Sequence, residues 1–129
     1  MHYLDTSALM KLVVTEPESD ALEAYLRPEY HLVSSAIAIT ELLRAVGRVQ
    51  PQSEMQARSV LARVSTINVD ERVLVDASAV GPPGLRTLDA IHLASALALG
   101  DELEALLTYD ARMAEAARSI GIRVEAPGA

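Results

Sequence analysis

Short apolar runs alternate with stretches of helical periodicity along the whole chain. His2–Asp5 reads as a strand and Ser7–Val14 as a short helix. Thr15-Glu-Pro-Glu18 has the form of a capping box with Pro in the first turn. It predicts a helix through about Arg27, with Leu22, Tyr25 and Leu26 on its apolar face. His31–Ser35 is the second predicted strand and Ala36–Arg48 the helix that follows. Pro51 opens another helix, in which Ala57, Val60, Leu61 and Val64 recur at i, i+3, i+4 and i+7. Thr66–Val69 is a short third strand, and Asp70 is placed to cap a helix through Val80. Gly81-Pro-Pro-Gly84 interrupts the pattern. Thr87 then caps Leu88–Leu99, a helix apolar nearly all round and therefore expected to be buried. Glu104–Thr108 is a fourth strand, Asp110–Ser119 a helix and Ile122–Glu125 a last strand.

Strands that alternate with helices throughout indicate an α/β fold built on a parallel sheet. With 129 residues and no repeat or linker, residues 1–129 are expected to form a single domain, large enough to bury roughly two-thirds of its unfolded surface. Half the residues are hydrophobic, yet there is no Phe or Trp, so the core is aliphatic. The absence of cysteine excludes disulfides, thiolate zinc sites and thiol nucleophiles. The longest apolar stretch, Ala90–Leu99, is half the length of a membrane span and carries His92 and Ser95. Asp5 stands too near Met1 for a secretory signal, so a soluble, cytoplasmic protein without membrane contact is expected. The net charge of −7 has the wrong sign for nucleic-acid binding by bulk electrostatics. Any such ligand has to be held by local arginines, which suit phosphate through their planar fork, and by bound cations.

The candidate chemistry lies in four acids. Asp5 ends the first strand and Asp110 opens the helix after the fourth. Asp89 sits in the first turn of the least polar helix, and Glu41 lies on a largely apolar helix after strand two. Each has an ordinary explanation. Asp5 and Asp110 suit helix caps, Asp89 is favoured by the helix dipole, and Glu41 stands at helical spacing from Arg44 and Arg48. Their joint placement argues otherwise: three are expected at strand-to-helix junctions on one edge, with Glu41 just behind a fourth. Parallel sheets bind ligands at the carboxyl ends of their strands. Converging carboxylates repel unless a cation relieves them, and an all-oxygen set favours Mg²⁺ or Mn²⁺ over zinc. Such a site can activate water for attack on a phosphodiester.

The segments Tyr3-Leu4-Asp5-Thr6-Ser7, Ser34-Ser35 to Thr40-Glu41, Leu85–Ala94 and Leu107-Thr108-Tyr109-Asp110 resemble the PIN-domain ribonucleases. They are most similar to the VapC toxins of bacterial toxin–antitoxin pairs. The resemblance spans essentially the whole chain, with the motifs in family order and no departure at the acids. It implies a three-layer α/β/α domain with a mainly parallel sheet of about five strands. It further implies Mg²⁺- or Mn²⁺-dependent endonucleolytic cleavage of RNA, inhibition by a cognate antitoxin, and a homodimer. Asp5, Glu41, Asp89 and Asp110 take the metal-coordinating, catalytic positions, and Thr6, Ser7 and Thr108 the supporting hydroxyls.

Other features leave alternatives open. Arg86 and Arg112 flank two of the acids and either hold substrate phosphate or neutralise those acids. His92, one turn after Asp89, suits a hydrogen-bonded core residue better than a metal ligand or half of a catalytic dyad. Helices such as Ala36–Val46 and Ala90–Leu99 are expected to leave apolar surface for contacts beyond the monomer. A non-catalytic PIN-like module acting through its partner is the main competing reading. A phospho-acceptor domain needs an acidic pair on strand one and a late Lys, whereas the only Lys here is Lys11. A phosphomonoesterase would need a second Asp two residues after Asp5.

Overall fold

The structure, a computed structural model, describes residues 1–129. Its elements run β1 (His2–Leu4), α1 (Thr6–Lys11), α2 (Ser19–Tyr25), β2 (Leu32–Ser35), α3 (Ile37–Val49), α4 (Glu54–Ala62), β3 (Ser65–Ile67), α5 (Glu71–Ala77), α6 (Thr87–Leu97), β4 (Ala105–Leu107), α7 (Ala111–Ser119) and β5 (Val124–Glu125). The five strands form one sheet in the order β3-β2-β1-β4-β5, and every pairing is parallel. Successive connections step outward from β1 to β3, then return to the other side of β1 with β4. The order therefore reverses between β1, the central strand, and its neighbour β4.

Alternation along those strands builds two cores. Leu4, Leu32 and Leu107 pack on one face with α1 to α4, around Leu9, Leu22, Leu42 and Val60. Tyr3, Val33 and Leu106 pack on the other with Leu93, Met113 and Ala117 of α6 and α7. The register Tyr3 opposite Val33 and Leu106, and Leu4 opposite Leu107, aligns like with like. Complete burial of a side chain such as Leu106 stabilises the fold by about 1.5–3 kcal/mol. A third cluster, Val73, Ala77, Ala90, Ile91 and Ala94, joins α5 to α6. The three-layer α/β/α architecture expected from the sequence is the one observed. No helix is long and apolar enough to cross a membrane.

Several local expectations need correction. The Thr15 capping box does not form. The helix begins at Ser19, whose Oγ accepts from Glu16 N and donates to Val14 O in the turn before it. Thr87 is not the cap of α6: Arg86 holds the N-cap position, with no side-chain capping bond. Asp89 does not follow a strand, because α6 is preceded by α5 and the Gly81–Gly84 turn. Only Asp5 and Asp110, among the site acids, stand at strand-to-helix junctions. That turn needs glycine at its start. Gly81 has φ +75°, and a Cβ there would stand 2.9 Å from Leu85 Cδ2. Finally, Ala90–Ala96 is buried within the chain and presents no free apolar surface. The exposed large apolar side chains include Ile39, Leu74, Val75, Leu88 and Leu97.

Candidate active site

The carboxyl ends of β1 and β4 bring Asp5 and Asp110 to the point where strand order reverses. Both are N-caps as well as candidate site acids. Asp5 accepts from Ala8 N at 3.0 Å, and Asp110 from Arg112 N at 2.9 Å. Helix α3 supplies Glu41 and α6 supplies Asp89. The four acids line one cavity of about 180 Å³ with Thr6, Ser7, Arg86 and His92, and no apolar residue lines it. Six of the seven predicted acids and hydroxyls line it, and the seventh, Thr108, is hydrogen-bonded to Asp5.

Asp5 is the most enclosed of the acids, at 4 % exposure. Ser7 Oγ donates to its Oδ1 at 2.6 Å and Thr108 Oγ1 to its Oδ2 at 2.5 Å. Backbone N–H groups lock those hydroxyls in turn: Tyr109 N donates to Ser7 Oγ and Asp110 N to Thr108 Oγ1. Burial pushes the Asp5 carboxyl above its ordinary value, and the hydrogen bonds offset only part of that. With Oδ1 accepting twice and Oδ2 once, Oδ2 keeps lone-pair capacity toward the cavity.

Glu41 is not paired with Arg44 or Arg48. Its Oε1 accepts from Thr6 Oγ1 at 2.6 Å and meets His92 Nε2 at 2.6 Å. Burial raises this carboxyl, but the bonds from His92 and Thr6 outweigh it and leave the group below its ordinary value. His92 is itself 2 % exposed, and its Nδ1 lies 2.7 Å from the Tyr3 hydroxyl. An ionised Glu41 only accepts, so Nε2 carries the proton between them, while Nδ1 meets the Tyr3 hydroxyl. His92 is thus a hydrogen-bonded core residue, as expected, and also the group that fixes Glu41. The chain Tyr3–His92–Glu41 was not legible from the sequence, because Tyr3 and Glu41 lie 89 and 51 positions away from His92. The only local sign was the spacing of His92 three residues after Asp89 on a buried helix.

Arg86 pairs with two of the acids. Its Nε donates to Asp89 Oδ2 at 3.0 Å and its Nη2 to Asp110 Oδ2 at 2.9 Å, so the guanidinium neutralises both acids. Arg112 makes no such pair. With Arg86, Asp89 and Glu115 it lines a larger adjoining cavity of about 480 Å³. The four acids are gathered in the smaller cavity.

As the side chains stand, no three His, Asp or Glu groups are close enough to share one metal ion. The donor set nevertheless fits a hard divalent cation. It is all carboxylate and hydroxyl oxygen, Asp5 is destabilised by burial, and a positive group already sits between Asp89 and Asp110.

A family model described as PIN domain matches residues 2–119. The chain is 50% identical over 125 residues to Ribonuclease VapC46 of Mycobacterium tuberculosis, covering 97% of this chain and 96% of that one. It is 46% identical over 132 residues to Ribonuclease VapC35 of the same species, covering 99% and 98%. Among solved structures it resembles Mycobacterium tuberculosis VapC20, a sarcin–ricin loop cleaving toxin. There the TM-score is 0.71 at 14% identity, over 98% of this chain and 100% of that one. VapBC2 of Rickettsia felis, solved on a promoter DNA fragment, superposes with a TM-score of 0.68 at 17% identity, over 98% and 99%. At these identities the structural likenesses speak to the fold alone.

Proposed function

The chain belongs to the PIN-domain family, and from that premise we propose that it is a VapC-like endoribonuclease, the toxin of a toxin–antitoxin pair, acting with Mg²⁺ or Mn²⁺. The observation that carries the reading is the convergence of Asp5, Glu41, Asp89 and Asp110 on one polar cavity at the strand-order switch. Full-length similarity to two ribonucleases supports RNA as the substrate, and residues 1–129 are read as one domain. The likeness in fold to a solved toxin–antitoxin complex from Klebsiella pneumoniae and to VapBC2 from Rickettsia felis supports an antitoxin partner.

In this reading the four acids are the cation ligands. A bound divalent ion would lower the pKa of a water molecule and offset the charge that develops on the phosphodiester. The protein's own part is positional. Ser7 and Thr108 hold the Asp5 carboxylate by one oxygen each, so it cannot rotate away. Thr6 and His92 clamp Glu41 through Oε1 and leave Oε2 free to accept a proton or a cation. Arg112, at the rim of the adjoining cavity, is available to an RNA phosphate. An antitoxin side chain with a Lys or Arg head would be drawn to the same acids. A homodimer is part of the proposal, supported by the exposed Ile39, Leu88 and Leu97.

The test is cleavage of total RNA by the purified chain, with Mg²⁺ or Mn²⁺ and with chelator. Cleavage that needs the metal and disappears in Asp89→Asn is expected. Undiminished cleavage by a folded Asp89→Asn protein would overturn the assignment.

A further inference from the structure

Arg86 differs from the rest of the site in how it is held. Asp5 and Glu41 are bound by buried hydroxyls, backbone and imidazole, whereas the Arg86 side chain is 65% exposed. Its guanidinium bonds only to Asp89 and Asp110, acids carried by two different helices. The backbone beneath it is extended, at the N-cap of α6, and follows the Gly81–Gly84 turn, where a Cβ on Gly84 would meet nothing within 4 Å. Arg86 also lines both the acid cavity and the adjoining 480 Å³ cavity, so open space lies beside its present position.

A guanidinium on two carboxylates does locally what a divalent ion does: it cancels their repulsion. It also takes one oxygen of each acid that such an ion would need. Exposed ion pairs are weak in water, so this occupant is displaceable. We infer that Arg86 is an internal counter-cation that competes with the divalent ion for Asp89 and Asp110, and that the ion enters by expelling the guanidinium toward the adjoining cavity. The inference rests on the proposed cation site and names a residue that sets its affinity.

Calorimetric Mn²⁺ titration of the full chain and of Arg86→Gln, Arg86→Lys and Arg112→Gln tests it. Arg112→Gln removes the same charge nearby without touching an acid pair, which separates local competition from the general field. Arg86→Gln is expected to bind Mn²⁺ about three- to tenfold tighter than the unaltered chain, since two exposed ion pairs are lost. Arg86→Lys should fall between them, and Arg112→Gln should change by less than about twofold. In a parallel Mg²⁺ titration, the Arg86 Nε–Hε signal should shift with the same midpoint as binding. Equal or weaker Mn²⁺ binding by Arg86→Gln, or an Arg86 signal indifferent to saturating Mg²⁺, would overturn the competition while leaving the cation site standing. No Mn²⁺ binding by any of the four proteins would overturn the cation site and the competition together.

Discussion

Asp5 and Asp70 begin in the same local situation and end in different chemistry. Each follows a strand, adopts extended backbone and caps the next helix, accepting from Ala8 N at 3.0 Å and from Val73 N at 2.9 Å. Asp70 sits beyond β3 at the sheet's edge, where it is exposed and the cap is its role in the fold. Asp5 sits beyond β1 at the centre, where β4 brings Thr108 and Asp110, α3 brings Glu41 and α6 brings His92. There the carboxylate is enclosed and held above its ordinary pKa by burial. A strand–Asp–helix pattern is therefore a cap wherever it falls. It becomes a site only where the strand order reverses and other elements supply further acids. The cost of enclosing Asp5 is a destabilisation that a cap alone would not require.

That contrast can be tested in order of expected effect. Asp5→Asn should reduce metal-dependent RNA cleavage by at least about a thousandfold in a gel assay, while Asp70→Asn should leave it within about twofold. The next largest effect concerns the support of the site. His92→Ala strips Glu41 of its imidazole and removes the ring nitrogen that meets the buried Tyr3 hydroxyl. It should lower cleavage by about 10–100-fold and stability by about 1–3 kcal/mol, read by cleavage rate and urea denaturation. Asp70→Ala removes only a cap, so it should cost about 1 kcal/mol in the same denaturation experiment and leave cleavage near that of the unaltered chain.

The smallest effect is the pH dependence of the metal-free protein. Between the ordinary Asp5 value of 3.8 and its raised value, the folded chain keeps a proton that the unfolded chain has lost. Stability therefore falls as pH rises through that window, and Asp5→Asn should flatten this part of the curve. Glu41 acts in the opposite sense at lower pH, since its carboxyl lies below its ordinary value. Its contribution is present above the ordinary value and is lost as pH falls through the lowered one. Thermal denaturation from pH 3 to 7 reads both slopes.

The strands and helices were legible because apolar runs such as Tyr3-Leu4, Leu32-Val33 and Leu106-Leu107 have no other place than the centre of a sheet. Their ends were less so. Thr15 and Thr87 carry good capping chemistry, yet neither caps, because the chain is turned before Ser19 and Arg86 already occupies the cap position. The four acids could be named from the sequence since each lies in a segment of distinct pattern. How they are held could not be, because the partners are distant. Arg86 reaches Asp110 across 24 positions, and Thr108 reaches Asp5 across 103. The expectation that Asp89 follows a strand failed for a related reason: a helix and a turn deliver it to the same edge.

The central claim is that position in the sheet, and not the capping pattern, makes Asp5 a cation ligand. Titrating Mn²⁺ into Asp5→Asn and Asp70→Asn by calorimetry tests this with one chemical change at two caps. Asp70→Asn should bind as the unaltered chain does, and Asp5→Asn should bind at least about tenfold more weakly. Equal affinity in the two variants would contradict the account.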